Sequence, residues 1–437
     1  MTGVGGILKG KVGFISLGCS KNLVNTEQMM HLVKSAGYEI TGETENINVA
    51  IINTCGFIGD AKDEALDTIN ELIESKRAGS ISKIVVTGCL AERYKEDILK
   101  MLPDVDAVVG TGSFDNIAEV LEFKKNKFFE DINAPISETN RIITTSNIWA
   151  YLKIADGCDN RCAFCMIPKL RGNYRSRPAP NITSEARKLV SKGTRELTLV
   201  AQDLTRYGTD IYGKRKLKDL LISLNDIEKL EWIRLLYLYP DTFDDEIIDL
   251  IAKSDKIVKY VDIPIQHISD VVLKKMRRRG TGNDIRSLFK HIRERIDNVV
   301  IRTSIIAGLP GESEKEFEEL CEFLTDMKIE RLGVFPYSPE EGTDAYSMER
   351  PTKEVALQRA EEVENIQSQI MYDFNNKRIG TVTRVLTEAF YPYARSYAEA
   401  PEVDGYIIVE GEEVEQNTFL DVKIKGVSDG ELIGEPI

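Results

Sequence analysis

Three apolar, β-branched runs in the first third of the chain each stop at a cysteine: FISLGC at Cys19, AIINTC at Cys55 and IVVTGC at Cys89. Each is followed by a stretch with apolar residues at helical spacing: TEQMMHLVKSAGY, DEALDTINELIES and ERYKEDILKML. One strand and one helix are predicted per repeat of about 35 residues, and such alternation implies a parallel sheet covered by helices. Carboxyl ends of parallel strands share one edge, where ligands bind, so the three cysteines are expected to meet there. A free cysteine is often only a small core hydrophobe. Three in one structural position read as a ligand site, because Gly18, Gly56 and Gly88 permit close backbone approach and Asn53 and Thr54 add polar atoms.

The pattern weakens from Lys124 to Asn147, which reads as a linker. Six further strands are predicted from Trp149 onward: WAYLKIAD, ELTLVAQD, WIRLLYLYP, YVDIPIQH, VIRTSIIAGLP and RLGVFPYSP. Helical stretches such as TSEARKLVSKG and EKEFEELCEFLTDM separate most of them. Six β/α units suggest a partly closed barrel, whose chemistry sits at the carboxyl ends of its strands. That rule selects Cys158, Gln202, Asp203, Tyr239, Gln266, His267, Gly308 and Tyr337 as rim residues. After the helical stretch KEVALQRAEEVENIQSQIMYDFNNKRIG, the short runs TVTRVLTEAF, GYIIVE and FLDVKIKGV suggest a small antiparallel barrel. The fold class expected is α/β: a parallel α/β domain over residues 8–123, a linker over 124–147, a partial (β/α)6 barrel over 148–372 and the small β-barrel over 373–437.

Composition narrows the setting. A chain of 437 residues with 42% hydrophobic and 29% charged residues describes a globular protein of several domains. No stretch has the roughly 18 apolar residues of a membrane span. The start MTGVGGILKGKVGFISLG has neither a charged opening nor a long apolar run, so secretion is not expected and the cytoplasm is. The net charge of −14 opposes non-specific attraction to nucleic-acid phosphates. Twelve acidic against four basic residues lie between Thr381 and Ile437. Small barrels commonly bind oligonucleotides, but grooves that follow phosphates are basic. This one is expected either to present a solvated acidic face or to dock a basic protein.

The seven cysteines are spaced for metal ligation more than for disulfides. In YLKIADGCDNRCAFCMIPKLR, Cys158, Cys162 and Cys165 stand at C-x3-C-x2-C. Three thiolates are one fewer than the four that iron–sulfur clusters normally take, which leaves one iron open. Structural zinc is the rival, though no fourth Cys or His lies nearby. Cys321, in FEELCEFL, has apolar helical spacing and is expected in the core. The run KKMRRRG at 274–280 reads as a solvated helix end before a phosphate contact. Arg234 lies inside a predicted strand, and a buried arginine needs an anionic partner, either a cosubstrate carboxylate or a structural salt bridge.

With Phe164 before its third cysteine and β/α units after it, the loop resembles that of the radical S-adenosylmethionine superfamily. The resemblance implies that the amino and carboxylate groups of S-adenosylmethionine bind the open iron. It also implies reductive cleavage to methionine and a 5′-deoxyadenosyl radical, which takes hydrogen from an unactivated C–H bond. Ala201, Gln202 and Asp203 would then lie where the methionine amine is held, although the usual Gly-Gly-Glu is absent. Phe164 would lie near adenine and Gln266 near ribose. Ile306, Gly308 and Gly311, in SIIAGLPGE, would support adenine through backbone contacts.

The whole chain resembles the methylthiotransferase family, which joins a three-cysteine domain to a radical S-adenosylmethionine barrel and a TRAM-type module. That implies two 4Fe-4S clusters: Cys158, Cys162 and Cys165 hold the radical-generating one, and Cys19, Cys55 and Cys89 a sulfur-presenting one. LGCSKNLVNTE and ARSYAEAPEVDG look like the branch that modifies the β-carbon of an aspartate in small-subunit ribosomal protein S-twelve. Most of the family modifies tRNA adenosines, which is the alternative. The partners implied are the ribosomal protein, docked by the acidic module, an electron donor such as flavodoxin or ferredoxin, and a sulfur source. No membrane contact is expected, and the chain is expected to act as a monomer.

Overall fold

The computed structural model describes residues 9–43, 46–411 and 414–437; the expected domain start at residue 8 and two of the acidic residues, Glu412 and Glu413, lie outside them. The chain divides into two compact units. The first contains residues 1–144, 155–177 and 338–346, and the second residues 145–154, 178–337 and 347–437. No helix among the described residues is long and apolar enough to cross a membrane.

The first unit is built on a six-stranded sheet of β1 (Lys11–Ser16), β2 (Glu39–Thr41), β3 (Ile47–Thr54), β4 (Ile81–Gly88), β5 (Ala107–Val109) and β6 (Lys127–Phe128). The spatial order is β2-β1-β3-β4-β5-β6, and every pair is parallel. The three expected strands are its centre, β1-β3-β4. Strands β2, β5 and β6 are three residues or fewer, too short to leave a periodic signature. Apolar clusters cover both faces. Ile52, Ile69, Ile84 and Val86 lie on one, and Val12, Met29, Ile51 and Val85 on the other.

The segment expected to be a linker is a strap in this unit. It contributes β6, and Ile142 N donates to Glu27 O at 3.0 Å. Arg141 donates to the buried Glu27 carboxylate at 2.6 Å and Thr144 N donates to it at 2.7 Å. A polar strand-poor stretch looks like a linker because its anchors are single side-chain bonds, not periodic burial.

The second unit carries β7 (Trp149–Lys153), then, beyond the short antiparallel pair β8 (Ala155–Asp156) and β9 (Arg175–Ser176) of the first unit, β10 (Glu196–Val200), β11 (Trp232–Leu235), β12 (Ile257–Asp262), β13 (Val300–Ala307) and β14 (Arg331–Pro336). These six strands are parallel in the order β7-β10-β11-β12-β13-β14, and β7 is not paired with β14, so the (β/α)6 sheet is open as expected. The helix Lys353–Arg378 packs along β14 and leads into the final module, so the expected boundary at 372/373 falls inside it.

That module is a closed barrel of β15 (Val382–Thr387), β16 (Tyr393–Arg395), β17 (Ile407–Val409), β18 (Phe419–Ser428) and β19 (Glu431–Pro436). It departs from the antiparallel expectation at one pair, β17–β19, which is parallel. Val385, Ala394, Ile407, Val422 and Ile424 fill its core. Residues 396–404, between β16 and β17, meet side chains from five strands of the open sheet. Tyr151 on β7 donates to Glu402 at 2.9 Å, Arg234 on β11 to Tyr397 O at 2.7 Å and Tyr260 on β12 to Asp404 at 2.7 Å. Arg302 on β13 approaches Asp404 at 3.9 Å, and Arg331 on β14 donates to Glu399 at 2.8 Å.

Candidate metal centres and cofactor residues

The strand register brings the first three cysteines together. Ser16 on β1 pairs with Asn53 on β3, Asn53 pairs with Thr87 on β4, and Thr54 pairs with Gly88. Cys19, Cys55 and Cys89 follow these pairs at one edge, the first two on loops and Cys89 as the first residue of the short helix Cys89–Tyr94. The glycines beside them are required by contact. A Cβ on Gly18 would lie 2.9 Å from Cys55 Cβ, and one on Gly56 2.8 Å from the Leu90 backbone. Gly88, at φ 94°, would put a Cβ 2.3 Å from Asn53 Oδ1.

Asn53 and Thr54, expected to lend polar atoms to a ligand, instead fasten the loops. Asn53 Nδ2 donates to Asn22 O at 2.9 Å, Thr54 Oγ1 to Thr87 O at 2.5 Å, and Asn22 Nδ2 to Thr54 O at 3.0 Å. Asn22 belongs to the LGCSKNLVNTE stretch, so a polar residue of the motif ties two strand ends.

The three thiols differ electrostatically. Burial pushes the Cys19 pKa up, but the charges of Lys21 and Arg171 and the backbone N–H groups of Asn22 and Lys21 outweigh it and leave it lowered. Burial raises Cys55, with the neighbouring Cys19 adding to it. Burial pushes Cys89 up to about 11 even though Arg171 opposes it. A metal would displace these protons, because the thiolate is the ligand.

The second triad in the chain lies in the same unit. Gly157, at φ 78°, allows the turn into the loop, since a Cβ there would lie 2.0 Å from Asn173 O. Cys158 N donates to Gly172 O at 3.1 Å and closes the loop at its base. Two backbone N–H groups point at sulfur: Asn160 N donates to Cys158 Sγ at 3.5 Å and Ile167 N to Cys165 Sγ at 3.4 Å. Such donors stabilise thiolate charge and tune clusters. Residues 338–346 brace the loop, with Ala345 N donating to Ala163 O at 2.9 Å and Lys169 Nζ to Gly342 O at 2.6 Å. Phe164 is half-buried in this loop. Among the described residues no three His, Cys, Asp or Glu side chains converge as one ion requires. Three thiols from a loop suit a larger body, whose separate irons each take one thiolate.

Sequence reasoning missed Arg171, which is buried and joins Asp156, near Cys158 in the chain, to Asn22, beside the first three cysteines. Its Nη1 donates to Asp156 at 3.0 Å and its Nη2 to Asn22 Oδ1. The available signal was an arginine six residues beyond Cys165, opposite an aspartate two residues before Cys158.

In the second unit, Gln266 and Ile306 are joined directly. Gln266, in a left-handed conformation at φ 70°, accepts at its carbonyl from Ile306 N at 2.9 Å. Gly308, at φ 83°, donates its N–H to both Glu312 oxygens at 2.9 and 3.0 Å. A Cβ there would lie 2.4 Å from Ala356 Cβ. Glu312 also takes Arg359 at 2.8 Å and lies 3.2 Å from His267 Nε2, both groups fully buried, while His267 Nδ1 accepts from Ser269 N at 3.0 Å. His267 thus has a structural place in the loop framework.

Ala201 is wholly buried after β10 and Gln202 is half-buried. Asp203, also wholly buried, caps the turn Leu204–Arg206 by accepting from Thr205 N at 3.1 Å. The structure therefore gives its carboxylate a capping bond not foreseen in the chain. For Arg234 the structure selects the salt bridge and corrects the cofactor assignment. Its guanidinium donates to buried Glu196 at 2.8 Å and to Tyr397 O at 2.7 Å, which turns it toward the final module. Cys321 is half-buried on the helix Glu314–Met327, and burial raises its pKa to about 11. In the basic run, Arg278 is buried, stacks on Tyr239 at 4.5 Å and donates to Pro264 O at 2.6 Å, so only part of that run is a solvated helix end.

Known proteins match this chain over nearly all of its length. Residues 152–324 match the Radical SAM superfamily, residues 11–110 the Uncharacterized protein family UPF0004, and residues 379–437 the TRAM domain. A protein of Acetivibrio thermocellus named Ribosomal protein uS12 methylthiotransferase RimO is 45% identical over 98% of this chain and 99% of its own. One of the same name from Caldicellulosiruptor saccharolyticus is 46% identical over 98% and 100%. Among solved structures, the radical S-adenosylmethionine methyltransferase TsrM of Kitasatospora setae, with cobalamin and a [4Fe-4S] cluster bound, superposes with a TM-score of 0.59. It covers 77% of each chain at 13% identity, which is a likeness of fold.

Proposed function

The chain belongs to the RimO family of ribosomal protein uS12 methylthiotransferases, and from that premise we propose that it installs a methylthio group on the β-carbon of an aspartate of uS12. The observation that carries the reading is the presence of two separate cysteine triads in one compact unit, one on strand ends and one on a glycine-hinged loop. Cys158, Cys162 and Cys165 would hold the 4Fe-4S cluster that, with S-adenosylmethionine, supplies a hydrogen-abstracting radical. Cys19, Cys55 and Cys89 would hold the one that presents sulfur.

The chain's own part in this chemistry is to hold and orient. Backbone N–H groups of Asn160 and Ile167 offset thiolate charge in the loop. Phe164, Ala201, Gln202, Gln266, Ile306 and Gly308 are the residues proposed to meet S-adenosylmethionine. The bond from Ile306 N to Gln266 O fixes two of them relative to each other, and Glu312 fixes Gly308. Asp203 would act there through the shape of the turn it caps.

Docking of the basic substrate is assigned to the acidic module, with a smaller charge than composition gives. Four of its twelve acidic residues, Glu388, Glu399, Glu402 and Asp404, meet side chains of the open sheet, and two more are engaged within the barrel, Glu431 accepting from Tyr406 N at 2.6 Å and Glu435 pairing with Lys425 at 2.7 Å. The six that remain in the sequence outnumber Arg384 and Lys423. Phe390, Tyr391 and Tyr393 are exposed at one turn of this barrel, where aromatic faces could receive lysine or arginine side chains. The protein would work in the cytoplasm as a monomer, served by a flavodoxin or ferredoxin and a sulfur source.

Mass spectrometry of uS12 and of tRNA from a strain lacking the gene tests the reading. Loss of the methylthio mass from uS12 alone is expected. Loss from tRNA alone would overturn the choice of substrate.

A further inference from the structure

Arg171 ends the short helix Ile167–Arg171, which follows the loop of Cys158, Cys162 and Cys165. It is almost wholly buried. An uncompensated buried guanidinium costs several kcal/mol, so its surroundings must explain it. One arm donates to Asp156, at 3.0 and 3.3 Å to the two carboxylate oxygens. The other donates to Oδ1 of Asn22, an atom 3.8 Å from the Cys89 thiol. Arg171 is the charge that acts most on Cys89 and, after Lys21, on Cys19.

A planar fork can span a carboxylate on one side and an amide and sulfur on the other; a lysine ammonium cannot keep both. Asn22 is itself fixed by donating to Leu17 O and Thr54 O, so the arm that reaches it has a set direction. An ion pair serving only to anchor the loop would be complete with Asp156. Here the cation extends past its counter-ion to the other triad.

We propose that Arg171 is the charge-setting residue of the Cys19, Cys55 and Cys89 site: the loop bearing the other triad delivers a fixed cation against Cys89 and so raises the reduction potential of a cluster held there. The inference rests on the reading of that site as the sulfur-presenting one. Joining a carbon radical to a sulfur lone pair uses two of three electrons for the new C–S bond. The third must be accepted by the site that carried the sulfur, and a fixed positive charge favours the uptake. Arg171 is thus a positioning residue that acts through charge.

The test is an EPR-monitored redox titration of the reconstituted full-length chain with Cys158, Cys162 and Cys165 replaced by alanine, so that one cluster is observed. Arg171→Gln is expected to lower its midpoint by at least a tenfold change in the one-electron equilibrium, about 59 mV. Arg171→Lys should recover part of the shift. Asp156→Asn removes the counter-charge and is expected to move the midpoint the other way. If Arg171→Gln loads iron normally and leaves the midpoint unchanged, Arg171 is only an anchor. If Arg171→Gln does not assemble a cluster, Asp156→Asn decides, and an unchanged or lowered midpoint there overturns the proposal. The titration contains no substrate, so its result is independent of whether the unaltered chain methylthiolates uS12.

Discussion

Arg395 on β16 donates to Glu196 on β10 at 2.9 Å, and neither side chain has any exposure to solvent. The other oxygen of Glu196 takes Arg234 at 2.8 Å, so one carboxylate bridges two arginines where the small barrel meets the open sheet, and Glu388 supplies Arg395 with a second carboxylate. Burial alone would raise the pKa of Glu196, but Arg395 and Arg234 outweigh it and hold it below the usual carboxylate value.

Removing that carboxylate leaves buried Arg234 with only the carbonyls of Tyr397 and Ser396, while Arg395 keeps Glu388. Glu196→Ala is expected to destabilise the contact by about 3–5 kcal/mol, the usual cost of breaking a buried pair from one side. The readout is built in. Both tryptophans of the chain sit at this contact, Trp149 donating to Glu388 at 3.3 Å and Trp232 stacking edge-on against Phe419 at 4.8 Å. Urea unfolding followed by tryptophan fluorescence should show the loss, with a transition earlier than that of the unaltered chain.

Glu399 gives the contact a pH dependence. Burial would raise its pKa, but Arg378 and Arg331, with the Ser396 hydroxyl, bring it down to about 2 from an ordinary 4.5. Because the folded value is depressed, the contribution is complete above the unfolded value and is lost as pH falls through the folded one. The change corresponds to roughly 3 kcal/mol, disappearing between about pH 5 and pH 2. Glu399→Gln should be less stable at neutral pH and show a flatter profile over that range. An unchanged acid profile would show that the ion pairs of Glu399 contribute little.

The two triads should fail separately. With Cys19, Cys55 and Cys89 replaced by alanine, S-adenosylmethionine is expected still to yield 5′-deoxyadenosine under reduction, with no methylthio product. Alanine at Cys158, Cys162 and Cys165 should abolish both. Iron should fall from about eight to about four per chain in either case, counted as four per cluster. Chromatography of 5′-deoxyadenosine beside an iron assay checks this.

Gly88→Ala should disable one triad only. Its Cβ would overlap Asn53 Oδ1 and the Thr54 backbone at 2.3 and 2.5 Å, and φ 94° strains any L side chain. We expect the iron count to drop by about half, as one of two four-iron clusters is lost, with 5′-deoxyadenosine formation retained. Gly157→Ala, whose Cβ would lie 2.0 Å from Asn173 O, should give the reverse pattern.

The sequence alone determined both cysteine triads, the three central strands of the first sheet, the open six-stranded barrel and the small terminal barrel. These are legible because each depends on a local period or spacing. A strand or helix repeats its burial every two or every three to four residues, and C-x3-C-x2-C is written in eight consecutive residues. Only the tertiary structure decided where the buried charges go. Arg234 faces Glu196 and the final module, 38 residues or more away, and Arg171 reaches Asn22 across 149 residues. The strap at 124–147 is held by Glu27. A single ion pair between distant residues leaves no period in either segment, so its partner exists only once the backbone has brought the two together.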